Sequence, residues 1–307
     1  MTSDNPFAAG AGYMNGAFVP VKEARIPITD LGFIRSDATY DVVHVWKSRF
    51  FRLEDHVDRF LGSADKLRFN LPLDRDGLIA MLHRLVALTG LEDVYVSFTG
   101  TRGSLPPGSR NPLDCENGLY GFAIPFMWIT PLEEQLGGIR MITASPERMA
   151  MTTFDQSIKN YMWGDLTAGM MEASDRGAKV PVLLDRNGNV TEGPGFNIFI
   201  IRGGSMMTPD TGVLQGITRR TAIELARDLN IETQIAPVPR DALKSADEIF
   251  ITSTAGGIIP VTVLDDENVG DGQTGPVASR LHSLYWQAHQ DPRYSTPVDY
   301  TLAEAAE

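Results

Sequence analysis

Lys159 stands in the run Phe154-Asp-Gln-Ser-Ile-Lys-Asn-Tyr-Met-Trp163, where an irregular polar segment gives way to apolar residues. A lysine attacks a carbonyl carbon only as the neutral amine, and a dry setting favours that form. Ile158, Tyr161, Met162 and Trp163 offer such a setting. They equally suit a lysine whose stem lies on apolar surface while its ammonium reaches water. Four further stretches carry residues able to do chemistry. In His56-Val-Asp-Arg59, Arg59 borders the apolar face of a helix, either solvated or turned inward as a fork for phosphate. In Thr191-Glu-Gly-Pro-Gly-Phe-Asn-Ile-Phe199, Glu192 either faces water from a turn or enters a buried strand, where a carboxylate needs a partner. Leu214-Gln-Gly-Ile-Thr-Arg-Arg220 opens a helix with Gly216, the amides of Ile217 and Thr218 and a threonine hydroxyl, which make an anion site or a simple N-cap. Thr252-Ser-Thr-Ala-Gly-Gly257 puts Ser253 and Thr254 in a hydroxyl-rich turn after an apolar strand.

Singly, each feature has an ordinary structural reading. Together they supply a poised lysine, a carboxylate, an arginine and two hydroxyl–glycine anion cradles. Pyridoxal 5′-phosphate needs that set: an amine for its aldehyde, a carboxylate to keep its ring nitrogen protonated, and a cradle for its phosphate.

The elements that must position these groups are legible from apolar periodicity. Asn15-Gly16 between short apolar runs is a two-residue hairpin turn. Residues 38–53 read as strand, turn and strand. Helices follow from Glu54 through Leu67, with Val57, Phe60, Leu61 and Ala64 at helical spacing, and over 74–89. Strands over 93–101 and 119–129 flank a Gly-, Pro- and Ser-rich loop, 102–118. Residues 131–138 read as a linker between a small α+β domain, 1–130, and a larger mixed α/β domain, 139–307, carrying the lysine. In that second part 139–145 is a strand, 160–176 a helix, and 180–185 with 189–192 a hairpin turned by Asn187-Gly188. Residues 196–202 are an apolar strand and 217–229 a helix. Residues 231–237, 247–253 and 258–264 are extended, 276–290 is a last helix, and the tail from Gln290 is expected to be partly mobile.

The 307 residues carry a formal charge of −12, which argues against a nucleic-acid surface or an anionic membrane as partner. The single cysteine, Cys115, leaves no internal disulfide framework and no cysteine-based metal cluster, and no metal is expected. No apolar run reaches spanning length and no signal peptide opens the chain, so a cytoplasmic protein is expected.

With these residues in view, the chain resembles the fold type IV pyridoxal-phosphate enzymes, which include branched-chain and D-amino-acid aminotransferases and aminodeoxychorismate lyases. The marks are His56-Val-Asp-Arg59, Lys159, Thr191-Glu192-Gly193 with Asn197, Gly216-Ile217-Thr218-Arg219, and Ser253-Thr254-Ala255. The resemblance implies an α/β fold like that of D-amino-acid aminotransferase. It gives Lys159 the place of the Schiff-base lysine and Glu192 that of the ring-nitrogen partner. Arg59, Ile217, Thr218 and Thr254 take those of phosphate binders, with Ser253 beside them. Within the family, Lys159-Asn-Tyr-Met-Trp-Gly-Asp-Leu, Glu192-Gly-Pro-Gly-Phe-Asn and Tyr40-Asp-Val-Val-His-Val-Trp are similar to the (R)-selective amine transaminases. This implies ping-pong transfer from a primary amine to a keto acid such as pyruvate, by a homodimer. Tyr40, Val42, His44, Tyr95 and Ser97 come from strands expected to line the substrate pocket. Arg110, and next Arg102, are candidates for the keto-acid carboxylate. The alternatives are a D-amino-acid or branched-chain aminotransferase, or a lyase. A binding-only protein has no need of the lysine.

Overall fold

Two apolar patterns, alternating and helical, sort the chain into two sheets with their helices. In the computed structural model, which describes residues 5–304, the chain divides into two units. The first holds the chain up to Met127, the segment Ile158–Met162 and the chain from His289 onward. It begins with β1 (Ala11–Met14) and β2 (Ala17–Pro20), closed by Asn15 and Gly16, both at positive φ as a tight hairpin requires. There follow α1 (Leu31–Arg35), β3 (Ala38–Trp46), β4 (Arg49–Phe51), α2 (Leu53–Lys66), α3 (Arg75–Thr89), β5 (Val94–Thr101) and β6 (Gly118–Pro125). The sheet runs in the order C-terminal strand (Ser295–Pro297), β4, β3, β5, β6, β1, β2.

Side chains alternate across a strand, so each face of β3 and β5 has its own population. Val43, Val45, Val94, Val96 and Phe98 point into a core closed by Val57 and Phe60 of α2 and Leu78, Leu82 and Leu85 of α3. Glu54 and Asp55 favour the start of α2 against the helix dipole. Asp74 caps α3 by accepting from the Gly77 amide, and Gly90 ends it in the left-handed region. The opposite face carries Tyr40, Val42 and His44 opposite Thr99, Ser97 and Tyr95.

The second unit comprises Trp128–Ser157 and Trp163–Ala288. Its elements are β7 (Ile139–Glu147), α4 (Gly164–Asp175), β8 (Val180–Leu184), β9 (Asn189–Val190), β10 (Asn197–Arg202), β11 (Ser205–Thr208), α5 (Ile217–Asp228), β12 (Thr233–Ile235), β13 (Val238–Pro239), α6 (Arg240–Lys244), β14 (Glu248–Ser253), β15 (Gly257–Leu264), β16 (Glu267–Asn268) and α7 (Pro276–Ala288). The strand order is β12-β11-β10-β14-β15-β7-β8-β9-β13, with β16 beside β15. Ile198, Ile200, Ile249, Ile251, Ile259 and Val261 form its buried centre.

The structure corrects several expectations. Residues 160–163 are not helical, because the Asn160 side chain accepts from the Met162 amide at 2.8 Å and donates to the Ile158 carbonyl at 2.9 Å. That local turn competes with helix, and α4 starts only at Gly164. The tail beyond Gln290 is ordered as far as it is described: Ser295–Pro297 pairs with β4, and the Tyr300 hydroxyl donates to the Leu91 carbonyl at 2.6 Å. Residues 131–138 are a 3-10 turn, Leu132–Gly137, inside the second unit, which begins at Trp128; its Gln135 is fully buried. The lysine-bearing segment counts with the first unit rather than with 139–307. Among the described residues no helix is long and apolar enough to cross a membrane.

Candidate active site

In the first unit the residues around Lys159 meet at the edge of β3. Its carbonyl accepts from the Tyr40 amide at 3.2 Å and the Thr39 hydroxyl at 2.7 Å, and Thr39 bridges to Asn160. The backbone is thus fixed by strand-like bonds while the side chain is half-buried. Its Nζ is 4.5 Å from the centre of the Tyr40 ring. Tyr161 stacks on Tyr40: the two rings lie 4.3 Å apart and 9° from parallel, and the Tyr161 hydroxyl is 2.7 Å from that of Thr99. Burial pushes the Tyr95 phenol up to about 12 and raises those of Tyr40 and Tyr161, so the wall offers neutral hydroxyls.

Arg59 is turned inward. Its Nε and Nη2 donate to the two oxygens of Asp41 at 2.8 Å each. Asp41 is fully buried and also accepts from His56 Nδ1 at 2.7 Å. Burial alone would raise the Asp41 carboxyl; the Arg59 charge and the His56 hydrogen bond together hold it well below the usual carboxylate range. Burial lowers His56 below its ordinary value against the pull of Asp41. The Asp41 contact requires a proton on Nδ1, and burial favours the neutral ring that carries it there.

In the second unit Glu192 follows β9, and the turn after it needs Gly195 in the left-handed region. Its carboxylate is buried and both oxygens accept: Oε1 from Arg148 Nη2 at 2.9 Å, Oε2 from the Leu214 amide at 2.8 Å. The Leu214 carbonyl in turn accepts from Asn197 Nδ2 at 2.9 Å. One backbone residue therefore ties Glu192 to the loop that opens α5. Gly216 is the N-cap of α5 and, among the described residues, no side chain caps that end, so the amides of Ile217 and Thr218 lie in an open positive terminus. A Cβ at Gly216 would overlap Asn197 Oδ1. Arg219 anchors the loop from behind, donating to the Gln215 side chain and the Pro209 carbonyl at 2.8 Å each.

The other expected residues divide. Tyr40, Val42, Tyr95 and Ser97 share one face of the first sheet with Thr99. His44 lies on that face but packs with Phe51 and Phe126, its Nε2 2.7 Å from that of His289, a buried ring cluster rather than a wall beside Lys159. Arg102 is committed elsewhere: it donates to both Asp37 oxygens and the Leu67 carbonyl and lies over the Phe69 ring. Arg110 is exposed on its loop. The Ser253 hydroxyl donates to the Gly195 carbonyl and accepts from the Ala255 amide, so it shapes its turn, whereas Thr254 stays half-buried at the turn's tip. Sequence reasoning missed Asp41 and Arg148. An aspartate inside the apolar run Tyr40–Trp46 was a usable signal, since a buried carboxylate demands a cation; Arg148 had no such local mark.

Similarity to known proteins gives the class. The family model for amino-transferase class IV matches residues 38–264. A putative branched-chain-amino-acid aminotransferase of Methanocaldococcus jannaschii is 32% identical over 277 residues, 89% of this chain and 94% of that protein. A D-alanine aminotransferase of Staphylococcus epidermidis is 28% identical, covering 90% and 98%. The crystal structure of a T.th. branched-chain amino acid aminotransferase with pyridoxamine 5′-phosphate superimposes with a TM-score of 0.89 at 30% identity, over 95% of this chain and 99% of that one. The fold is that of the fold type IV aminotransferases. The chain belongs to the class IV amino-transferase family, and its cofactor is pyridoxal 5′-phosphate. The residues present fit that group. An uncapped helix end kept open by Gly216 suits a phosphate dianion, and a buried carboxylate suits a protonated ring nitrogen.

Proposed function

We propose that this aminotransferase takes the amino group of a primary amine, (R)-configured and aryl-alkyl, and passes it to a keto acid such as pyruvate in two half-reactions. The observation behind the donor class is the wall on β3 and β5. Tyr40, Val42, Tyr95, Ser97 and Thr99 present rings, methyls and neutral hydroxyls, with no fixed charge among them. Such a surface suits an apolar amine better than a donor bearing a carboxylate. The (R) sense follows the resemblance in the segments at Lys159 and Glu192. Arg110 is the candidate for the keto-acid carboxylate.

When bound, pyridoxal 5′-phosphate supplies a ring that takes up the electron pair left as the substrate carbon loses its proton. Lys159 Nζ would hold the cofactor. Its free amine would carry the proton off the substrate carbon and return it, as base and then acid. Glu192 would accept from the ring nitrogen and keep its proton in place. By the resemblance, Arg59, the amides of Ile217 and Thr218, and Thr254 would hold the phosphate.

A branched-chain or D-amino-acid aminotransferase is the second reading, favoured by the activities named for the similar proteins. The two readings separate on the visible spectrum of the loaded enzyme. The first expects bleaching by (R)-1-phenylethylamine, recovery with pyruvate and little response to the (S)-amine. Bleaching by L-leucine or D-alanine alone would replace it with the second. We also propose a homodimer, supported by an apolar patch on and before α1 where Ile28 is 78% and Phe33 67% exposed. Light scattering at a monomer mass would reject it.

A further inference from the structure

Arg148 lies just past β7, is almost fully buried, and joins two carboxylates. Nη2 donates to Glu192 Oε1 at 2.9 Å and Nη1 to Asp165 Oδ2 at 2.7 Å. Asp165, in the first turn of α4, is in turn fixed by backbone amides: its Oδ2 accepts from that of Met149 at 2.7 Å and its Oδ1 from that of Leu166 at 2.8 Å. Arg148 Nε, also buried, has no hydrogen-bond partner among the described residues. A buried cation between a buried carboxylate, Glu192, and a half-buried one, Asp165, with one donor unmatched, is a poor source of stability compared with apolar packing. The arrangement needs a reason other than holding the fold together.

We propose that Arg148, backed by Asp165, is the positioning residue for Glu192: it fixes the carboxylate's orientation and keeps the shared proton on the cofactor's ring nitrogen rather than on Glu192. The proposal rests on Glu192 being the ring-nitrogen partner. The physical argument is a balance of charge. With Arg148 present, Glu192 sees a guanidinium and an amide and remains an acceptor; the Asp165 charge offsets the guanidinium, so the negative field of Glu192 still reaches the ring. Without the cation, the buried Glu192 and the half-buried Asp165 are two carboxylates facing a common vacancy. Like charges so placed favour a proton on one of them. The proton nearest to hand for Glu192 is the one on the ring nitrogen. Burial opposes the Arg148 charge, but Glu192 and Asp165 outweigh it and raise the guanidinium further, so Arg148 is charged at every working pH.

The test is the 15N resonance of the ring nitrogen in enzyme loaded with 15N-labelled pyridoxal 5′-phosphate, at neutral pH and without substrate. In the native enzyme the resonance lies at the protonated position. Arg148→Gln moves it most of the way to the unprotonated position. Arg148→Lys, which keeps the charge, leaves it near the native one. Adding Asp165→Asn to Arg148→Gln removes the second carboxylate and brings the resonance back toward the protonated position, a rescue that a purely structural role does not produce. Glu192→Gln is the control for the underlying reading. If it leaves the resonance unmoved, Glu192 is not the ring partner and that reading fails. If Glu192→Gln moves the resonance and Arg148→Gln does not, the proposal alone is overturned. Should Arg148→Gln fail to fold, the Arg148→Gln/Asp165→Asn pair and Arg148→Lys decide: unprotonated nitrogen in Arg148→Lys, or in the double variant, contradicts the proposal.

Discussion

Replacing Asp41 with asparagine isolates what holds Arg59 in place. In the native protein the carboxylate receives two guanidinium bonds at 2.8 Å and the His56 proton at 2.7 Å, with the Asp41 side chain wholly buried and that of Arg59 13% exposed. Breaking one side of a buried ion pair costs about 3–5 kcal/mol. Asparagine keeps one oxygen for the guanidinium, so the lower end applies, roughly 3 kcal/mol. For a chain this long that lowers the melting temperature of the cofactor-free protein by about 6 °C, at ~2 °C per kcal/mol. Arg59 is left with an uncompensated charge, so inorganic phosphate raises the melting temperature of Asp41→Asn more than that of the native protein. The assay is a thermal melt of both cofactor-free proteins with and without phosphate. A variant that melts with the native protein, or gains no more from phosphate, would refute the claim that Asp41 pairs with the Arg59 guanidinium and compensates its charge.

Gly216→Ala pushes a methyl group into Asn197 Oδ1 and displaces the open end of α5; cofactor affinity, read by fluorescence titration, falls at least about tenfold, or ~1.4 kcal/mol. Arg102→Ala removes the partner of Asp37 and the cover of Phe69. It costs roughly 2–3 kcal/mol in a denaturant melt and leaves the keto-acid KM within about twofold, because the Arg102 guanidinium is taken up by Asp37 and the Leu67 carbonyl. Burial lowers His56, His83 and His282 below their ordinary value. The unfolded chain then binds protons that the folded one refuses. The stability these groups contribute is present above the unfolded value of about 6.5 and is lost as pH falls below it. Denaturant melts of the cofactor-free protein across that value show the decline, and His56→Asn makes it shallower.

Local rules made much of the first sheet legible. Asn15-Gly16 gives its hairpin, and the apolar spacing of Val57, Phe60 and Ala64 gives α2, because these depend on near neighbours. The Lys159 segment reads as helical because its apolar residues suit a helix, while the Asn160 side chain and the edge of β3, some 120 residues away, set its path. The C-terminal strand escapes a local reading for the same reason: its partner β4 is remote in sequence. As candidate groups, Lys159, Glu192 and the Gly216-Ile217-Thr218 turn stand out by residue type alone. Their supports stand out less, because Arg148 reaches Glu192 across 44 residues and nothing beside it in sequence marks the contact. His44 shows the converse: strand alternation gave its face correctly, and the long-range contact with His289 decided its neighbourhood.

The covalent attachment of the cofactor is the central claim, and borohydride reduction of the loaded enzyme followed by peptide mass spectrometry tests it most directly. The account predicts one phosphopyridoxyl label, on Lys159, absent from Lys159→Ala. A label on another lysine, or none in a protein that binds the cofactor, would contradict it.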